Sequence, residues 1–155
     1  MNISPMQVTY ARKHYPIATY QVMDATDITL PEEHFDQIIS IEAACHFYSR
    51  TAFLKSAYRT LKTGGSLILT DILFQQNKWN DYWLIPNTSR IINLFDYQKM
   101  FEQVGFIVNV MEDITEINWV SFCNYLCDIC EMRELAKNLK DSVIAYISVC
   151  LCKPE

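Results

Sequence analysis

Gly64-Gly65 separates a helical pattern ending Arg59-Thr60-Leu61-Lys62 from an apolar run, Ser66 to Thr70, that closes on Asp71. A helix stopped by glycine and followed at once by a buried strand is half of an α/β crossover. The other half lies upstream. Phe35 to Ile41 carries Ile38, Ile39 and Ile41 with almost no alternation, the pattern of a strand covered on both faces. Between them Ser49 can cap a helix whose Phe53, Leu54, Ala57, Tyr58 and Leu61 recur at helical spacing. A third short apolar run, Ala18 to Met23, is bounded by Pro16 and Asp24 and reads as one more strand. Polar residues stand at the carboxyl ends of all three: Asp24, then Glu42 to His46, then Asp71. In open α/β sheets ligands bind along that edge.

The rest of the chain continues the alternation. Ser4 and Pro5 predict a helix from Pro5 to about His14, by N-cap and first-turn preference. Asp96 predicts a cap for a helix from Tyr97 to about Val104, closed by Gly105. Phe106 to Val110 reads as a strand, Asn118 to Leu139 as one long helix, and Val143 to Leu151 as a last strand. Residues 73–95 break the rhythm with Trp79, Tyr82, Trp83, Pro86 and several asparagines, and read as an insertion within a single domain spanning 1–155.

Composition removes several function classes. A net charge of −5 without a basic run argues against tracking nucleic-acid phosphates. No stretch approaches roughly 18 uninterrupted apolar residues, so no membrane span is expected. The N-terminus lacks the order of a secretory signal, which predicts a cytoplasmic protein with six reduced cysteines. Cys123, Cys127 and Cys130 have a spacing known from iron–sulfur ligation, but they sit at i, i+4 and i+7 of the predicted long helix. A buried cysteine behaves as a small hydrophobe, so these three read as one apolar face and no metal is expected.

In this order the elements resemble the class I S-adenosylmethionine-dependent methyltransferases, in their small-molecule branch. Four stretches carry the likeness. Ile3 to Val8 with Ala11-Arg12 resembles the turn and helix after that family's second strand. Asp24-Ala25, Leu30-Pro31 and Phe35-Asp36 resemble its third strand, acidic turn and the start of its fourth. Glu42 to His46 resembles the loop after strand four, and Arg59 to Asp71 the approach to strand five and the strand itself. Gly105-Phe106 and Val149 to Pro154 fit the closing strands.

One departure stands against the match. The family's first strand carries a glycine-rich loop, and this chain has three glycines, all placed elsewhere. The resemblance therefore implies an α/β, Rossmann-like methyltransferase sheet truncated at its N-terminus, with its first two strands missing and Met1 standing at an internal methionine. The family's strand order, 3-2-1-4-5-7-6, would leave Ile38–Ile41 with an open apolar edge. Either the Ala18–Met23 strand closes onto it, or a second copy or partner chain covers it.

The resemblance also implies chemistry. Cofactor contacts fall to Asn2 (ribose), Asp24 and Ala25 (adenine), and Glu42 and Ala43 (the methionine side), with S-adenosyl-L-methionine as cofactor and a small molecule as acceptor. His46 and Asp71 would project into one crevice, His46 as general base for an O-methylation and Asp71 as its orienter or co-base. The plainer alternatives stay open at this point. His46 could cap a helix or merely neighbour the cofactor, Asp71 could be a buried acid accepting backbone N–H bonds, and Asp24 could simply end its strand. Trp79, Tyr82 and Trp83 could wall an acceptor pocket or be ordinary packing. The chain as a whole could also be a non-catalytic remnant or pairing subunit.

Overall fold

The computed structural model describes residues 1–75, 85–86, 91 and 93–155. Its elements, in chain order, are α1 (Pro5–His14), β1 (Phe35–Ile41), α2 (Arg50–Thr60), β2 (Leu61–Phe74), α3 (Leu94–Val104), β3 (Ile107–Asp113), α4 (Ser121–Asp128), α5 (Arg133–Lys140) and β4 (Val143–Cys152). Four strands form one mixed sheet in the order β1-β2-β4-β3. β1 and β2 run parallel, joined by the crossover through α2, while β4 is antiparallel to both β2 and β3. The α/β architecture expected from the residues is the one observed.

Local chemistry accounts for most of the boundaries. The Ser4 hydroxyl accepts from the Gln7 amide with Pro5 in the first turn, and the Ser49 hydroxyl accepts from the Ala52 amide. Gly105 ends α3 at φ 112°, a left-handed conformation that costs glycine nothing. Gly65 answers to space: a Cβ there would lie 2.8 Å from the Lys62 carbonyl and 3.0 Å from that of Asp36.

The sheet has two unlike faces. Leu67, Leu69, Asp71 and Leu73 of β2 stand in register with Leu151, Val149, Ile147 and Ala145 of β4 on one face. α2 and α3 cover that face with Phe53, Leu54, Ala57, Tyr97 and Phe101, all buried in the main core. Burying such side chains contributes about 1.5–3 kcal/mol each, which makes this layer the principal source of stability. On the opposite face the described residues cover the C-terminal end of β2. There Ile72, Phe74, Val143 and Tyr146 pack with Trp119, Cys123 and Leu139 into a second cluster.

Several sequence expectations need correction. The run Ala18–Met23 forms no strand; it contributes one parallel bridge, Asn2 to Val22. It does not close onto β1, which among the described residues pairs with β2 alone. The long helix over 118–139 is broken. A π-helical stretch, Thr115–Val120, precedes α4, and Glu131 at φ 57° turns the chain before α5. Cys130 thus lies beyond the end of α4, so the three cysteines do not share a helix face. Asn93 rather than Asp96 caps α3, its carboxamide oxygen accepting from the Asp96 amide. β2 begins at Leu61 and runs on to Phe74, so Leu73 and Phe74 belong to the sheet and not to the expected 73–95 insertion. Most of the remainder of that insertion, including Trp79, Tyr82 and Trp83, lies outside the described residues. Among the described residues no helix is long and apolar enough to cross a membrane.

Candidate active site

The site grows from the ends of the bridge, β1 and β2. Asn2 donates its amide to the Gln21 carbonyl and accepts from the Met23 amide, which fixes the start of the chain beside the Asp24 turn. Its side chain is engaged as well, donating to Gln7 Oε1 at 2.7 Å and accepting from the Ser4 amide at 2.8 Å. Asp24 Oδ1 accepts from both the amide and the hydroxyl of Thr26, each at 2.8 Å, a closed Asx turn. α2 then clamps this turn: Ser56 Oγ donates to the Thr26 carbonyl, and Arg59 donates to the carbonyls of Ile28 and Leu30. Asp24 Oδ2 is left without a hydrogen-bond partner among the described residues.

β1 ends in a strained residue. Glu42 has φ 50°, the left-handed region, at a cost of roughly 1–2 kcal/mol for a side chain with a Cβ. Its amide is held by the Thr70 carbonyl at 3.0 Å, and its carboxylate accepts a hydrogen bond from the Tyr146 hydroxyl. Backbone strain of this kind persists only where the surroundings over-determine it, and it concentrates at functional positions. Ala44 to His46 form a single 3-10 turn just beyond, with Cys45 buried and His46 exposed.

Two cavities meet here. One, of about 450 Å³, is bounded by Asn2, Asp24, Ala25, Glu42, Ala43 and His46 among others. The second, about 390 Å³, is walled by Phe74, Trp119, Phe122 and Tyr146. Glu42 and His46 line both. Each volume falls within the usual range for small-molecule pockets.

Asp71 is not part of this arrangement. It was expected to share a crevice with His46, but it is fully buried on the helix-covered face. The reason is the alternation of strand side chains. β2 does not end at Asp71, and it is Thr70, Ile72 and Phe74 that face the opposite way, Ile72 and Phe74 reaching the second cavity. Asp71 Oδ2 instead accepts from Arg50 Nε at 2.6 Å and from the Tyr97 hydroxyl at 2.8 Å, and Oδ1 accepts from the Ile72 amide at 3.0 Å. Sequence reasoning missed Arg50, Tyr97 and Tyr146. A tyrosine among the aliphatic residues of β4 was the available signal for Tyr146.

Electrostatics at the junction favour neutral thiol and phenol. Burial, with Asp71 nearby, pushes the Cys45 thiol from its ordinary 9.0 up to about 12. Burial, with the bond to Glu42, pushes the Tyr146 phenol from 10.0 up to about 12. Both are acids whose folded-state pKa is raised, so the stability linked to their protonated forms is complete below the unfolded values and is lost as pH climbs toward 12. Thermal stability should therefore fall above about pH 9, where an unfolded thiol would begin to ionise. In Cys45→Ala the decline should be shallower, the part linked to the Cys123 thiol, which burial also raises, remaining, as calorimetric scans at stepped pH would read. Identical profiles for the two proteins would refute this.

A family model described as a methyltransferase domain matches residues 1–69. The structure aligns with that of geranyl diphosphate C-methyltransferase from Streptomyces coelicolor A3(2) at a TM-score of 0.78 and 14% identity, over 97% of this chain and 60% of that one. The chain shares the fold of that methyltransferase. Among curated proteins it is 27% identical over 122 residues to the 2-methyl-6-phytyl-1,4-hydroquinone methyltransferase of Synechocystis sp., covering 71% of this chain and 36% of that protein. It is 45% identical over 49 residues to the erythromycin 3''-O-methyltransferase of Saccharopolyspora erythraea, covering 32% of this chain and 16% of that protein. The chain thus spans about a third or less of the length of these curated relatives.

Proposed function

We propose that this chain carries out, or forms part of a protein that carries out, methyl transfer from S-adenosyl-L-methionine to a hydroxyl of a small molecule. The observation that carries the reading is the meeting of the two cavities at Glu42 and His46. One cavity is ringed by the residues expected to hold the cofactor, and the other is apolar and aromatic, suited to an acceptor. The donor set fits a nucleoside cofactor: Asp24 Oδ2 is open to accept from an exocyclic amine, and Glu42 brings negative charge near a cationic sulfonium. Asn2, with its side chain tied to Ser4 and Gln7, has one amide hydrogen left for a ribose hydroxyl.

Bound there, the cofactor supplies an electrophilic methyl group. Since displacement at that carbon is in line, the main task of the protein is to hold two reactants in register. Phe74, Trp119 and Phe122 exclude water from the acceptor side. His46, whose imidazole has no hydrogen-bond partner among the described residues, accepts the proton that the acceptor hydroxyl releases. The methyl group ends on the acceptor oxygen and the proton on His46. Asp71 is not carried forward as a co-base; it supports β2 from the other face. Trp79, Tyr82 and Trp83 are kept as further acceptor contacts, and a cytoplasmic setting with reduced thiols completes the reading, supported by six free cysteines. A second chain over the open edge of β1 also belongs to it.

Calorimetry with S-adenosylhomocysteine tests the cofactor half. The expected result is saturable binding that weakens at least tenfold, about 1.4 kcal/mol, in Asp24→Ala. No heat at millimolar ligand would leave a non-catalytic remnant as the better account.

A further inference from the structure

Glu42 is exposed, yet it keeps its left-handed backbone, φ 50°, and is tied at both ends. Its amide lies 3.0 Å from the Thr70 carbonyl and 3.3 Å from the Thr70 hydroxyl, both on β2. Its carboxylate accepts from the Tyr146 hydroxyl on β4. The end of β1, β2 and β4 thus converge on one acid, at the point where the two cavities meet.

Tyr146 is itself well fixed. It is only 7% exposed and packs in the second cluster with Ile72 and Trp119. With its pKa pushed up to about 12 by burial and by the bond to Glu42, the phenol stays protonated at neutral pH and donates to the carboxylate. Its main chain is engaged as well. The Tyr146 amide donates to Thr115 Oγ1 at 2.7 Å, and its carbonyl accepts from the Ile114 amide at 2.7 Å. These bonds hold the start of the π-helical stretch Thr115–Val120, whose Asn118 and Trp119 line the 390 Å³ cavity. One tyrosine therefore ties the acceptor wall to the acid at the junction.

We propose that Tyr146 is a positioning residue for cofactor selection: its hydroxyl holds the Glu42 carboxylate between the two cavities, where that charge favours the sulfonium of S-adenosyl-L-methionine over the neutral thioether of S-adenosylhomocysteine. The inference rests on the methyltransferase reading and deepens it, naming what distinguishes the charged cofactor from its product. The positive charge is lost on transfer, since the sulfur keeps the bonding pair. The contact therefore acts on cofactor binding and product release and not on the chemical step, which gains only from interactions stronger in the transition state.

The test compares S-adenosyl-L-methionine with S-adenosylhomocysteine by calorimetry on the full chain, two ligands that differ by one methyl group and one positive charge. In Tyr146→Phe the ratio of the two affinities should shift about tenfold toward the product, the lower end of what a hydrogen bond to a charged group contributes, with S-adenosylhomocysteine affinity itself changed about twofold at most. Glu42→Gln removes the charge but keeps an acceptor for the phenol, and should shift the ratio at least as far. Combined, the two substitutions should shift it no further than Glu42→Gln alone, because Tyr146 acts only through the carboxylate. Hydrogen exchange at the amide of position 42, read without ligand, should quicken in Tyr146→Phe and hold in Glu42→Gln. An unchanged ratio or unchanged exchange in Tyr146→Phe overturns the proposal, as do additive shifts in the combined variant. Should Tyr146→Phe fail to fold, Glu42→Gln at its exposed position carries the test, and an unchanged ratio there overturns the proposal equally. No heat with either ligand counts against the methyltransferase reading and removes the sulfonium role with it. Binding of S-adenosylhomocysteine with an unchanged ratio counts against the role of Tyr146 alone.

Discussion

Asp71→Ala should lose about 3–5 kcal/mol of folding free energy, a large share of the roughly 5–15 kcal/mol that domains of this size have in hand. The variant takes the carboxylate from Arg50, whose side chain is only 3% exposed and whose Nε is 2.6 Å from it. It also removes the acceptor of the Tyr97 hydroxyl, which is fully buried with its ring 4.4 Å from that of Phe101. A buried cation that loses its carboxylate costs far more than the pair contributes. The companion prediction is therefore that Arg50→Met with Asp71→Leu restores part of the loss, because an apolar pair has no charge to desolvate while the Tyr97 hydroxyl stays without its acceptor. Urea unfolding of the three proteins reads both effects. An Asp71→Ala midpoint close to wild type would mean that the buried pair does not hold the helix layer to β2.

His46→Ala should lower turnover by about 10²–10⁴-fold, the usual contribution of a positioned general base. S-adenosylhomocysteine affinity should change little, because Asp24, Ala25 and Ala43 bound the cofactor cavity apart from the imidazole. That split separates a base from a residue that merely lines the cavity. The measurement is S-adenosylhomocysteine release with a hydroxyl acceptor that the protein, in whichever form turns over, accepts. Unchanged turnover would remove His46 from the mechanism and turn attention to Glu42, which the Tyr146 hydroxyl already holds at the junction.

The error over Asp71 and the gathering of the other positions have the same origin. Asn2, Asp24, Glu42 and His46 sit at or just beyond chain turns, where a local polar signature and the end of a strand coincide in sequence. Asp71 looked equivalent because the apolar run stops there. Its direction depended on β2 continuing through Ile72 and Phe74, and that continuation is set by pairing with Tyr146 and Val143, about seventy residues later. Tyr146 escaped notice for the complementary reason: its partner, Glu42, is 104 residues away.

What the sequence determined by itself was local: the caps at Ser4 and Ser49, the left-handed stop at Gly105, the apolar strands, and thereby the α/β class. These depend on interactions within a few residues, which a linear pattern records directly. The tertiary structure alone decided that 18–23 makes a single bridge rather than a strand, that Glu131 breaks a helix the pattern would have continued, and that Asp71 faces Arg50 rather than His46. Each of those outcomes turns on contacts between distant segments, where a shift of one residue reverses which side of the sheet a side chain serves.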